Sequence, residues 1–138
     1  MINFLKEIEI YTKGQEIVDI TAEVKKIVVE SKLQTGLINL SILHTSASLL
    51  VQENASEDVL LDITDFINTL VPKSSKYRHN IEGPDDMPAH IKSMLTNSNL
   101  TISVANKTIL LGTWQGIFLY EHRTGRRART VIAHLIGS

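Results

Sequence analysis

Apolar and polar residues alternate over several stretches of the chain, which is the two-residue period of half-buried β-strands. In the first stretch, residues 2–11, Ile2, Phe4, Ile8 and Ile10 share one face, and polar side chains take the other. The same alternation predicts further strands over residues 37–44, 49–52, 100–104, 108–122 and 130–136. A basic hairpin loop at residues 123–127 is predicted to join the last two of them.

Two stretches have the period of amphipathic helices. The first helix is predicted to begin with Thr21 as its cap and to end at Gly36. The second is predicted to begin at the capping box Asn54-x-x-Glu57 and to stop at Pro72. Its apolar face repeats along the whole stretch, at Val59, Ile63, Phe66, Ile67 and Leu70.

A polar linker, residues 73–76, is predicted to lead to a third and shorter helix. Pro88 suits the first turn of a helix, and Asp85 or Asp86 can cap it. The helix would hold His90 near its start, on regular structure rather than on a loose loop.

The predicted order of elements is strand, helix, two strands, two helices and three strands. Short connections and alternating faces favour an antiparallel sheet, so the predicted class is α+β. With 138 residues, the chain is expected to form a single domain over residues 1–138.

Composition narrows the class of protein. Hydrophobic residues make up 43% and charged residues 21%, which is typical of a globular domain, and the net charge of −1 does not favour a nucleic-acid partner. Without cysteines, the chain has no disulfides and no thiolate metal ligands. It has no apolar run long enough for a membrane helix and no signal-peptide pattern, so we expect no membrane partner and a cytoplasmic location.

Residues 77–91 carry two imidazoles and three carboxylates within a short distance. Gly83 and Pro84 interrupt regular structure, so the backbone is expected to turn and to bring His79 and His90 towards each other. Imidazoles suit zinc, and carboxylates suit magnesium or manganese. The stretch is dense in groups that bind a metal or move a proton, although a polar surface loop has a similar composition.

Three histidines lie in polar turns rather than in mid-strand: His44, His79 and His90. Three imidazoles with an open fourth position form a known type of catalytic zinc site, but the spacing here is not a short metal motif. A hydrogen-bonded rim residue is the simpler interpretation of His44 alone. His134 lies within an apolar strand and is expected to be structural, whereas His122 fits either role.

Three polar residues are candidates for acid–base or outer-ligand roles: Glu82 in the turn within residues 77–91, and Gln115 and Glu121 on the predicted strand 108–122. Glu121 is equally explained as a strand-end acid paired with an arginine. Four arginines lie within seven residues, and guanidinium groups match phosphate oxygens, so a phosphorylated small molecule is a plausible ligand. These arginines are Arg123, Arg126, Arg127 and Arg129. For Arg126 and Arg127, a solvated loop or a subunit contact is the simpler explanation.

Three separate motifs along the chain resemble those of the YjbQ-like family, also called the secondary thiamine-phosphate synthase family. The resemblance covers nearly the whole chain and rests on residues 44–55, 77–92 and 111–123. It implies an α+β fold with an antiparallel β-sandwich-like core and two to three helices, and a homotrimer with sites near subunit contacts. It also implies that His44, His79 and His90 share a polar pocket, which would bind a divalent metal, zinc or magnesium.

The activity implied by the resemblance joins a pyrimidine-methyl diphosphate to a thiazole phosphate and releases pyrophosphate, as a main or a side activity. In that mechanism the metal and Arg123 would neutralise the leaving group, and His79 would donate or relay a proton. Two alternatives stay open: a zinc-dependent hydrolase of a phosphorylated small molecule, and a non-enzymatic trimer that binds a metal or a ligand.

Overall fold

A computed structural model describes residues 1–74 and 76–138. Its strands are β1 (Ile2–Thr12), β2 (Glu16–Asp19), β3 (Thr35–Ile42), β4 (Ala47–Glu53), β5 (Asn99–Ala105), β6 (Thr108–Ile109), β7 (Gln115–Glu121) and β8 (Arg127–Gly137). Its helices are α1 (Thr21–Ser31), α2 (Glu57–Leu70) and α3 (Asp86–Leu95). The predicted linker, residues 73–76, includes residue 75 and so lies partly outside the described residues.

The strands form two sheets. One has five strands in the order β1-β8-β3-β5-β6, and the other has three in the order β2-β7-β4. Every pairing is antiparallel. The predicted α+β class with antiparallel sheets and two to three helices is therefore confirmed.

Both sheets and α1 contribute to one hydrophobic core. Ile38 and Leu40 reach it from β3, Leu49 from β4, Leu119 from β7 and Val24 from α1, and all five are fully buried. The alternation read from the sequence places these side chains on the inner faces, because successive strand residues point to opposite sides. Burial of such side chains is the main source of stability, at roughly 25 cal/mol per Å² of apolar surface.

The prediction of a single strand over residues 108–122 is wrong. β6 ends at Ile109 in the larger sheet, and β7 begins at Gln115 in the smaller one. Residues 110–114 cross between the sheets, and the Gly112 amide donates to Gln115 Oε1 at 2.8 Å within this turn. The loop at 123–127 also crosses between sheets, because β7 and β8 do not pair, so it is not a hairpin.

Helix ends differ from their predicted positions for local reasons. α1 ends with Lys32 in the left-handed conformation, at φ 63°, and Gly36 lies inside β3. α2 begins after Ser56, since the Asn54 amide donates to the Trp114 carbonyl at 2.9 Å and prolongs the strand pairing. The predicted capping box is therefore wrong. None of the residues of α2, all of which are described, is buried.

α3 begins where the sequence predicts, with Asp85 as the residue before its first turn. The Asp85 side chain does not cap the helix in the described residues; it accepts hydrogen bonds from Arg123 and Thr124 instead. α3 thereby lies against the loop that follows β7. Among the described helices, none combines the length and the apolar character that a membrane crossing requires.

Candidate metal centre

Two imidazoles and one carboxylate converge at the start of α3. Asp86 and His90 lie four residues apart on the same face of this helix, and His79 reaches them from the preceding segment. Asp86 Oδ2 lies 2.6 Å from His79 Nε2 and 3.1 Å from His90 Nε2. The three potential ligand atoms lie within 4.8 Å of one another.

The orientation of the His90 ring is set by the backbone. Its Nδ1 lies 2.8 Å from the carbonyl oxygen of Thr45. A carbonyl oxygen only accepts hydrogen bonds, so Nδ1 carries the proton and the neutral ring has its lone pair on Nε2. A metal-binding histidine usually has this type of outer partner.

Arg123 holds the carboxylate in place. Its Nη1 donates to Asp86 Oδ1 at 2.8 Å, its Nε to Asp85 Oδ2 at 3.0 Å, and its Nη2 to the Glu82 carbonyl at 2.9 Å. Only 12% of the Arg123 side chain is exposed. These bonds occupy Asp86 Oδ1 and leave Oδ2 directed at the two imidazoles.

Both aspartates are ionised at neutral pH. Burial raises the pKa of Asp85, but hydrogen bonds from the Thr124 amide and from Arg123 outweigh it and lower the pKa to about 2. Burial likewise raises the pKa of Asp86, and the hydrogen bond from His79 and the nearby charge of Arg123 lower it below its usual range. The centre therefore carries a negative charge between its imidazoles.

This donor set fits a divalent metal ion. In the neutral His90 tautomer, Nε2 and Asp86 Oδ2 are two acceptors 3.1 Å apart, which is unfavourable unless positive charge lies between them. A second proton on the ring or a metal ion supplies that charge. Two nitrogens and one oxygen bind zinc in catalytic sites that keep a position open for water or substrate. The His79 side chain is 47% exposed, so the group is open to solvent.

An open cavity of about 590 Å³ adjoins the group. His90 belongs to both, and the cavity is otherwise lined mostly by short polar side chains. The lining residues are His44, Thr45, His90, Ser93, Met94, Thr96 and Ser98. Because this lining has no lysine or arginine, the cavity suits an uncharged part of a small molecule.

His44 lines this cavity but does not join the ligand group of the described residues. Its Nε2 accepts a hydrogen bond from the Thr130 amide at 2.8 Å, and its Nδ1 lies 3.3 Å from Arg129 Nη1. Burial and the positive charge of Arg129 lower the pKa of His44, so the ring is neutral. The structure thus brings two of the three predicted imidazoles together, and Asp86 stands where His44 was expected.

Glu121 is fully buried in an ion pair. Its Oε2 accepts from Arg129 Nη2 at 2.6 Å, and its Oε1 accepts from Thr12 Oγ1 and from Arg129 Nε, both at 2.7 Å. Arg129 Nη2 also donates to Ser46 Oγ at 2.9 Å. Glu121 is therefore an acid paired with an arginine, which was one of the two interpretations of its sequence position. The bond from Arg129 to Ser46 holds the segment that carries His44.

The other candidates lie at different distances from the centre. Glu82 Oε2 is 3.9 Å from His79 Nε2, so Glu82 borders the centre. Gln115 lies at the opposite end of β7 from Glu121. His134 lies on β8, and its Nε2 is 2.6 Å from Oδ1 of Asn3 on the neighbouring strand β1.

His122 is a buried residue whose role the sequence left open. Its Nε2 lies 2.8 Å from Ser48 Oγ, and its Nδ1 is buried without a partner among the described residues. Burial lowers the pKa of His122 to about 3, and the charge of Lys92 adds to this effect, so the ring is neutral. Both side chains are enclosed in the protein, which is typical of a structural pair.

Asp86 is the residue that sequence reasoning missed. Its signal was the four-residue spacing to His90 within a predicted helix, which places both side chains on one face. The same position also suits a helix cap, so the carboxylate was assigned to the backbone instead of to a ligand group.

Comparisons with known proteins agree with the fold. The family model described as "UPF0047 protein YjbQ-like" matches residues 6–138. A UPF0047 protein of Synechocystis sp. is 46% identical over 129 residues, which is 93% of this chain and 88% of that protein. UPF0047 protein YjbQ of Salmonella typhimurium is 45% identical over 105 residues, 76% of each chain.

Solved structures give the same result. A crystal structure of an uncharacterized YjbQ/UPF0047 family protein from Clostridium acetobutylicum superposes with a TM-score of 0.84 at 37% identity, covering 94% of this chain and 99% of that one. A second protein, from Thermus thermophilus, gives a TM-score of 0.85 at 31% identity and covers 95% of this chain and 99% of its own. The names of these relatives state no activity.

Proposed function

This chain belongs to the UPF0047 YjbQ-like family, and we propose that it is a divalent-metal enzyme that hydrolyses a phosphorylated small molecule. One observation carries the proposal. Two imidazole nitrogens and a carboxylate oxygen lie within 4.8 Å of one another, and one of the three residues, His90, also lines an open cavity. Asp86, His79 and His90 would hold the metal.

The surrounding residues prepare this centre for chemistry. Thr45 fixes the tautomer of His90, and Arg123 fixes the position of Asp86. Such outer partners keep ligands oriented before the metal binds. A bound zinc or magnesium ion acts as a Lewis acid and lowers the pKa of water, which is the chemistry that hydrolysis requires.

The cavity explains why hydrolysis is the better-supported reaction. Its lining offers hydroxyl groups and two imidazoles, and the guanidinium of Arg123 is already bonded to two carboxylates and a carbonyl. A pyrophosphate leaving group would therefore meet little positive charge from the protein at this position. One bound ion would polarise a single phosphoryl group and lower the pKa of the attacking water.

A second candidate is the thiamine-phosphate synthase-like transfer, in which His79, Glu82 and Arg123 would assist the release of pyrophosphate. The three motifs that carry the family resemblance support it, at residues 44–55, 77–92 and 111–123. A non-enzymatic trimer that binds metal or ligand is the third possibility, and it predicts thermal stabilisation without turnover.

One experiment separates these functions. Chelator-treated protein is reloaded with zinc or magnesium and assayed for phosphate release from a panel of phosphate esters, and for product formation from the two synthase substrates. We expect metal-dependent phosphate release that falls by at least about 100-fold in His79→Ala and Asp86→Asn, since each removes a proposed ligand. His134→Ala is the matched control, because His134 contacts Asn3 and belongs neither to the ligand group nor to the lining of the adjoining cavity.

Equal turnover in all four proteins would contradict the metal-enzyme proposal. Turnover of the synthase substrates alone would favour the second candidate over the first. A raised melting temperature with metal, in the absence of any turnover, would favour the binding protein.

A further inference from the structure

We propose that a second cavity, lined by Lys13, Arg126 and Arg127, is a binding site for the phosphate group of a small molecule. The cavity has a volume of about 280 Å³. Three positive charges border it, together with Tyr11, Thr12 and Ala128. The inference does not depend on the metal or on the reaction proposed for it.

Strand register brings the three cations together. Thr12 pairs with Arg127, and Tyr11 pairs with Ala128, at the end of the β1–β8 ladder. Lys13 directly follows β1 and Arg126 directly precedes β8, so both residues extend past the same end of the sheet. Residues from opposite ends of the sequence thus face one opening.

These cations are available, unlike the other two arginines of the cluster. Among the described residues, the side chains of Lys13 and Arg126 have no hydrogen-bond or ion-pair partner. Within residues 1–74 and 76–138, the Arg127 side chain donates only its Nε, to the Thr124 carbonyl at 3.3 Å, and both of its terminal nitrogens have no partner there. Arg123 and Arg129, in contrast, are paired with buried carboxylates.

Three cations outnumber the two carboxylates beside the cavity, which are Glu16 and also Glu9, whose side chain interacts with the hydroxyl of Tyr11. Glu16 Oε2 accepts the backbone amide of Lys13 at 2.6 Å, not its ammonium group. Glu121 is bonded to Thr12 and already balanced by Arg129. With a net charge of only −1 over the whole chain, this local excess of positive charge is a feature of the cavity and not of a basic protein.

The chemistry favours a phosphate monoester. Guanidinium groups bind phosphate oxygens through two parallel hydrogen bonds, and an ammonium group adds a third charge. The volume exceeds what a phosphate group alone needs, so it also accommodates a small organic part beside the exposed Tyr11 ring. A dianion with an attached organic group is the ligand class that these properties select.

The cavity is close to the metal centre along the chain but distinct from it. Arg123 contacts Asp86, and Arg126 is three residues further on, a span of at most about 11 Å. The two sites share no residue, so each can be removed without the other.

The test measures anion binding to chelator-treated protein by isothermal titration calorimetry, at pH 7.5 and physiological salt. Phenyl phosphate and inorganic phosphate are the probes. We expect one site per chain, with phenyl phosphate binding at least as tightly as inorganic phosphate. The double variant Arg126→Gln/Arg127→Gln should lose at least about tenfold in affinity for both, because each guanidinium contributes a charge-assisted hydrogen bond.

Two controls make the result specific. Lys26→Gln removes one positive charge from an exposed position on α1, and it should leave the affinity within about twofold of the parent protein. Asp86→Asn removes a proposed metal ligand and should also leave anion binding intact, so a failure of the metal proposal would not be confused with a failure of this one. Circular dichroism checks that each variant is folded.

Three outcomes would overturn the inference: no saturable binding of either probe, equal affinity in the double variant and the parent, or an equal loss in Lys26→Gln. Binding of inorganic phosphate alone, without phenyl phosphate, would overturn the assignment to a monoester.

Discussion

The contacts of Arg123 in the structure differ from the role that its sequence context predicts. In the sequence it belongs to a basic cluster, and phosphate binding is the natural hypothesis. In the structure its three nitrogen groups donate to Asp85, Asp86 and the Glu82 carbonyl. Arginine forks match carboxylates as well as they match phosphates, so sequence alone cannot assign the partner.

Arg123 is therefore expected to act on the metal through Asp86. In Arg123→Gln, we predict a 10- to 100-fold loss of zinc affinity, because the carboxylate loses the group that orients it. Zinc titration calorimetry measures the change. Arg126→Gln, a neighbouring arginine outside this network, should bind zinc like the parent, and an unchanged affinity in Arg123→Gln would refute the positioning role.

His122 makes a prediction about stability and pH. Its pKa is about 3 in the folded protein, mainly because of burial, and near 6.5 when the chain is unfolded. Between these values the unfolded state binds the additional proton, so stability falls as the pH decreases from about 6.5 towards 3. Each pH unit costs up to about 1.4 kcal/mol at this residue.

Replacing the imidazole removes that dependence. Urea unfolding of His122→Gln should show a shallower loss of stability between pH 6.5 and 4 than the parent, whatever its stability at pH 7. His134→Gln, which also replaces an imidazole by an amide, is measured alongside as the matched control. Identical slopes in the parent and His122→Gln would contradict the assignment.

At the scale of elements, regular alternation and amphipathic periods predicted most of what the structure contains. β1 is an example, since its alternating residues over 2–11 leave only one plausible conformation. β2 was missed because a strand of four residues, Glu16–Asp19, is too short for a period to show. The crossing between sheets within residues 108–122 was not predicted, because apolar and polar residues alternate both before and after the crossing.

Similar limits explain which residues of the site were predicted from the sequence and which were not. His79 and His90 were predicted together because glycine and proline force the chain to turn between them. Asp86 was not, because a carboxylate before a helix suits a cap as well as a ligand. His44 was grouped with them by its polar context, whereas its actual partners, Thr130 and Arg129, come from a strand far along the chain.

Gly36 gives a test of strand packing. A side-chain carbon there would lie 2.1 Å from the Ile136 carbonyl oxygen, at the end of the β3–β8 pairing where Gly36 is opposite Gly137. Gly36→Ala is therefore expected to destabilise the protein by about 1–3 kcal/mol, or more if the strands separate. Chemical denaturation measures this.

Gly14→Ala is the control, since a carbon added at Gly14 meets nothing within 4 Å. It should change stability by less than about 0.5 kcal/mol. If Gly36→Ala were as stable as Gly14→Ala, the close approach of β3 to β8 would be wrong.

At the scale of the whole molecule, α2 stands out. Phe66, Leu61 and Leu70 are more than half exposed on a helix with a clear apolar face. Exposed apolar surface of this kind is typical of contact regions. We predict that the protein is a homotrimer, as the family resemblance implies, and light scattering after size exclusion should give three chain masses. A single chain mass at micromolar concentration would contradict this prediction.

The proposed function depends most on metal binding by His79, Asp86 and His90. Titration of chelator-treated protein with zinc tests it most directly, with the parent and Asp86→Asn measured side by side. We predict one ion per chain in the parent, and an affinity at least about 100-fold lower in Asp86→Asn. Failure of the parent to bind zinc, or equal binding by the two proteins, would contradict the central claim.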